Sequence, residues 1–93
     1  MSKSKKQRTA DDELVPVGEY ALIRRINRIL KKRALDGHKE CQLLKTHGRD
    51  EEKMRRVGEF YVVSKRSVVR KGVHLETFAR EQGALAPWEA LVS

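Results

Sequence analysis

From Tyr20 to Leu35 the chain carries six basic side chains and no acidic one, laid over an apolar repeat of helical period. Leu22, Ile23, Ile26, Ile29 and Leu30 fall, at about 100° per residue, within an arc of about 120° centred on Ile26. Arg24, Arg25, Arg28, Lys31 and Lys32 project onto the other side of the same wheel. A segment so patterned folds as a helix with one oily and one cationic stripe. Pro16 and Glu19 suit its start and Gly37 its stop, which predicts a helix from Glu19 to Leu35. Arg33 projects near the apolar stripe, where the last helical turn favours a cation that can snorkel.

That helix needs a body to dock on, and 93 residues supply one small domain with a thin core. Residues 1–13 hold nothing apolar larger than alanine after Met1, so they read as a disordered tail, basic at Lys3, Lys5, Lys6 and Arg8 and then acidic at Asp11, Asp12 and Glu13. Residues 14–93 are read as the folded domain. Leu14 to Val17 is too short for a signal-peptide core, and no run reaches the length of a membrane span. A single cysteine, Cys41, forms no intrachain disulfide. A reducing cytosol is the expected setting.

Residues 36–56 are mostly polar, and a short helix or loop is expected near Lys39 to Lys45, with an exposed linker at Arg49 to Lys53. The period then changes from helical to alternating. Glu59 to Val63 and Val68 to Val73 are rich in β-branched and aromatic residues around the polar cluster Ser64 to Ser67. This predicts a hairpin with a four-residue loop, with a third strand from residues 39–46 left open. If Phe60 and Val62 face the core, Tyr61 lies on the other side of the ribbon and needs a cover. Leu75, Phe78, Ala79 and Gln82 share a helical face, with Gly83 placed to end that helix. Pro87, Trp88, Leu91 and Val92 suggest a short terminal helix. A Trp88 ring in the core would cost about 3–5 kcal/mol to truncate, whereas a near-neutral result would make it a surface contact for a partner. The expected class is α+β.

Enzymatic chemistry finds little footing in this sequence. His38, Cys41 and His47 are too few ligands for structural zinc, and Cys41 lies in a segment too polar to promise a shielded nucleophile. Asp50, Glu51 and Glu52 sit among cations with nothing apolar to desolvate them. The six glycines match no phosphate-binding loop. No catalytic residue, metal or cofactor is assigned.

Charge remains. The formal net charge is +8, and residues 1–33 hold ten Lys or Arg against four Asp or Glu. A helix selected only for solubility would mix signs and gain i,i+4 pairs. The ridge of Arg24, Arg25, Arg28, Lys31 and Lys32 is spaced to follow phosphates, with Asn27 at its flank able to reach a base edge or sugar. Lys65, Arg66, Arg70 and Lys71 offer a second ridge from the hairpin. RNA or a ribonucleoprotein is the expected partner, and DNA the alternative. Membrane-surface binding is disfavoured because the apolar stripe is only wide enough to dock on the domain itself. Phe60 and Tyr61 on one strand suggest sheet-based base stacking, though no sequence signature of it is present.

A wider pattern comprises Arg25-Ile26-Asn27-Arg28 with Leu30, Leu44-Lys45-Thr46-His47-Gly48, Gly58-Glu59-Phe60-Tyr61-Val62-Val63, and His74 to Glu81 with Gly83, Leu85, Pro87, Trp88 and Glu89. Over residues 20–92 it resembles small proteins encoded on plasmids, integrative elements and phages of proteobacteria. The chain departs from that pattern in lacking Asp or Asn in the hairpin loop and in carrying Gln82 where leucine is expected. The resemblance implies a non-enzymatic anti-defence protein of the anti-CRISPR kind, occupying a guide-RNA surface so that target nucleic acid cannot pair. A free-standing RNA- or DNA-binding regulator or ribosome-associated protein is the alternative.

Overall fold

The computed structural model describes residues 14–65 and 67–92. Residues 1–13, read above as a tail, lie outside the described residues, as does Arg66. The chain runs through β1 (Val15–Gly18), α1 (Glu19–Lys32), β2 (Cys41–Lys45), α2 (Glu51–Val57), β3 (Phe60–Ser64), β4 (Ser67–Arg70), α3 (Leu75–Gln82) and β5 (Glu89–Val92). An antiparallel sheet β2-β3-β4 and a parallel pair β1-β5 make this an α+β domain.

The apolar stripe of α1 organises the core. Leu22, Ile26 and Leu30 are fully buried against Cys41 and Leu43 of β2, Phe60 and Val62 of β3, and Leu75, Phe78 and Ala79 of α3. Burying a side chain of this size is worth about 1.5–3 kcal/mol. The helix ends at Lys32, three residues before the predicted Leu35. In a continued helix Arg33 would point at the core and Leu35 at solvent. Arg33 instead becomes extended and donates to the Gln82 side chain at 3.2 Å, and Leu35 turns inward to 6% exposure. Asp36 and Gly37, with φ of 52° and 83°, then form a two-residue turn across which Leu35 and His38 exchange both backbone hydrogen bonds. Positive φ at both central positions is what an Asp-Gly pair accommodates. Gly37 therefore serves a hairpin turn, not the helix stop.

Residues 41–45 form a strand, not a short helix: Cys41 and Leu43 face the core while Gln42 faces out. The third strand left open by the sequence thus exists as β2, paired through Leu43↔Val62. The expected linker at Arg49 to Lys53 is largely the start of α2. Asp50 caps it by accepting from the Lys53 N–H at 3.0 Å, and its acidic first turn and basic last turn complement the helix dipole. Lys53 of α2 lies over the Tyr61 ring and its ammonium reaches the Tyr61 hydroxyl, providing the cover the outer face of β3 requires. Gly58 follows α2 at φ 82°, and a Cβ there would stand 2.9 Å from the Gly72 Cα, so no side chain fits.

The hairpin closes through Ser64↔Ser67, a two-residue loop where four were expected, with a register shift at Val62/Val63. Helix α3 is capped by the His74 side chain and ends at Gly83 in the left-handed conformation, as its sequence indicates. The terminal segment forms β5 instead of a short helix, pairing from Val15↔Glu89 to Gly18↔Val92. Its register is anchored by the Val15 N–H donating to the Trp88 carbonyl at 2.8 Å. The backbone of Pro16 therefore faces away from β5, where a missing N–H costs no ladder bond and blunts the outer edge of β1. On the other side, Arg80 donates to the carbonyls of Ala86 and Glu89. Trp88 is 64% exposed, so of the two placements the sequence leaves open its ring takes the surface, while Ala84 and Leu85 are buried.

Candidate nucleic-acid interface

Helix α1 lies beside β2 and runs in the opposite direction. Glu19 pairs with Lys45 near one end, Asn27 meets Leu43 in the middle, and Lys31 shares a surface depression with Cys41 near the other. The Asn27 carboxamide accepts from the Leu43 N–H at 2.7 Å and donates to the Leu43 carbonyl at 3.2 Å. It thereby satisfies the free edge of β2. The side chain expected to reach a base edge or sugar is thus engaged inside the fold.

Two further assigned residues are likewise taken up. Arg25 donates to Glu89 at 2.9 Å and to the Ala84 carbonyl at 3.2 Å, tying α1 to the C-terminal segment. Arg70 donates to both carboxylate oxygens of Asp36, at 2.8 and 3.0 Å, lies over the Phe78 ring and is 3.7 Å from Glu81. A guanidinium held on two carboxylates and an aromatic ring is a fold contact, not part of a phosphate-binding ridge. The partners respond electrostatically. The Arg70 hydrogen bonds hold the Asp36 carboxyl below its ordinary range, and Arg25, helped by the Ala86 N–H, does the same for Glu89.

Four cations of α1 remain outward. Arg24, Arg28, Lys31 and Lys32 are exposed and form no ion pair among the described residues. Arg24, Arg28 and Lys31 line, with Asn27, a depression of about 280 Å³. A neighbouring one of about 350 Å³ is lined by Asn27, Lys31, Glu40, Cys41 and Gln42. Sharing Asn27 and Lys31, the two form a single shallow groove between the cationic face of α1 and the edge of β2.

Lys65 and Lys71 are exposed too, but they flank β4, at the opposite edge of the sheet from β2. Two strand spacings, about 10 Å, separate those edges. Lys65 and Lys71 therefore lie apart from the helix ridge and do not extend it. The strand aromatics are covered, and an exposed ring lies elsewhere. Phe60 and Tyr61 are 6% and 7% exposed, whereas Tyr20, not singled out in the sequence, is 78% exposed on the first turn of α1.

The metal and nucleophile candidates resolve into structural roles. Cys41 is buried with its thiol donating to the His38 carbonyl, His47 accepts from the Arg49 N–H, and His74 caps α3. Among the described residues no three His, Cys, Asp or Glu side chains converge as a metal site, and no helix is long and apolar enough to cross a membrane. The chain matches no family model, no curated protein and no solved structure in the comparisons made.

Proposed function

We propose that this protein binds RNA, free or within a ribonucleoprotein, through the outward cationic face of α1, and acts by occupancy instead of catalysis. One observation carries the reading: Arg25, Lys45, Arg70 and Arg80 each have a carboxylate partner, while Arg24, Arg28, Lys31 and Lys32 have none among the described residues. Cations left unpaired along one helix face present the field and the donors that phosphates require. The groove beside them gives the polyanion a track.

The biological setting we propose is that of a mobile-element protein in a bacterial host, in which covering guide RNA denies a defence complex its target. The resemblance and the small size of the chain support this setting. Capture of the tagged protein from plasmid-bearing or infected cells tests it. A stoichiometric CRISPR effector complex supports the inhibitor role, whereas ribosomal subunits or bare RNA support a free-standing regulator. Failure to retain any RNA or DNA at low salt removes both.

A further inference from the structure

We infer that the groove takes a single strand and not a duplex, with a base stacked on the Tyr20 ring; this rests on the polyanion reading of α1. Tyr20, Arg24, Asn27 and Lys31 are spaced i, i+4, i+7 and i+11, which places them on one stripe of the helix. The stripe is about 16 Å long. At Asn27 and Lys31 it borders the β2 edge, since Asn27 is bonded to Leu43 and Lys31 lines the depression beside Cys41.

Tyr20 stands at the head of this line with 78% of its surface in water. A large aromatic gains nothing for the core in that position, and Leu22, its near neighbour in sequence, is wholly buried. An exposed ring in register with cations is the arrangement that non-sequence-specific single-strand binders use: the cations track the backbone while the ring offers a face that any base can cover. A paired base inside a duplex has both faces already stacked and cannot reach such a ring without being extruded. The shallow groove beside the stripe also suits a flexible strand, which can lie along α1 and turn its bases toward the helix. Phe60 and Tyr61 cannot serve this purpose, because the core and α2 cover them.

The test uses the full chain, a mixed-sequence oligoribonucleotide, and the same strand annealed to its complement, with binding followed by anisotropy. The single strand is expected to bind more tightly than the duplex. Tyr20→Ala should weaken single-strand binding by about 5- to 150-fold, the range for loss of one stacked base. Tyr20→Phe should restore most of the loss and Tyr20→Leu little of it, because a flat π-face is what is required. None of the three should alter the salt dependence, since no phosphate contact is removed. Equal affinity for strand and duplex, or unchanged single-strand binding by Tyr20→Ala, overturns the inference while leaving the polyanion reading intact. Absence of binding to either probe by the unaltered protein overturns both.

Discussion

Asn27 and Leu43 exchange two hydrogen bonds, side chain to backbone, so that a polar residue on the face of a helix closes the open edge of a strand. The pairing explains why α1 can lie against β2 with its cations still directed outward. Replacing Asn27 with Ala strands the Leu43 N–H and carbonyl at a partly buried edge, at a cost of about 1–3 kcal/mol. Asn27→Asp should fare no better, since a carboxylate accepts from the N–H but repels the carbonyl. Urea unfolding of both variants measures this, and stability within error of the unaltered protein would show the pair to be incidental.

Trp88 provides the opposite case. With its ring 64% exposed, Trp88→Ala should change stability by less than about 0.5 kcal/mol. Leu30→Ala, which opens a cavity beneath α1, should cost about 2–5 kcal/mol. Comparable losses in thermal unfolding would return Trp88 to the core.

Two carboxylates should govern the acid limb of stability. Asp36 and Glu89 both titrate below their ordinary values of 3.8 and 4.5 in the folded state, through Arg70 and Arg25 respectively. A depressed folded value means the contribution is complete above the unfolded value and disappears as pH falls through the folded one. Stability should therefore decline below about pH 4.5 and keep falling in more acid solution. Glu89→Gln preserves an acceptor for the Ala86 N–H but removes the charge, and should flatten this decline in denaturant titrations at stepped pH. An unchanged acid limb in Glu89→Gln would place the dependence elsewhere.

The hairpin loop carries local strain that can be relieved. Lys65 sits at φ 59°, a left-handed conformation that costs a side chain of this kind about 1–2 kcal/mol. Lys65→Asn should raise stability by about 1 kcal/mol, because Asn tolerates that region and suits two-residue turns. A loss of stability would mean that the Lys65 side chain has a compensating role.

The parts of this fold that were legible in the sequence are those whose signal is local and periodic. The stripe of Leu22, Ile26 and Leu30, the β-branched run at Phe60 to Val63, and the Leu75 to Gly83 helix with its glycine cap all carry their own pattern. Strand β2 was indistinct because Cys-Gln-Leu-Leu-Lys has no β-branched residue, and its alternation spans only two buried positions. Helix α2 has no apolar stripe; its sign was the Asp50 cap with acids before bases, a charge order that reads equally as a solvated linker. The β1-β5 pair is the least local of all, joining segments some seventy residues apart through backbone bonds, so nothing near Trp88 reveals it. At the interface, the outward direction of Arg24, Arg28, Lys31 and Lys32 followed from the wheel. The capture of Arg25, Asn27 and Arg70 did not, because Glu89, Leu43 and Asp36 meet them only through the tertiary fold.

The outward face of α1 as a phosphate-binding surface is tested most directly by the salt dependence of RNA affinity in Arg24→Ala, Arg28→Ala and Lys31→Ala. For a single strand, log K should fall linearly with log salt concentration, and each substitution should reduce the slope by about 0.7 while weakening binding. Arg70→Ala should leave that slope unchanged while lowering stability, because its guanidinium is held by Asp36. RNA binding with a slope indifferent to Arg24, Arg28 and Lys31, or no binding at low salt, would contradict the account.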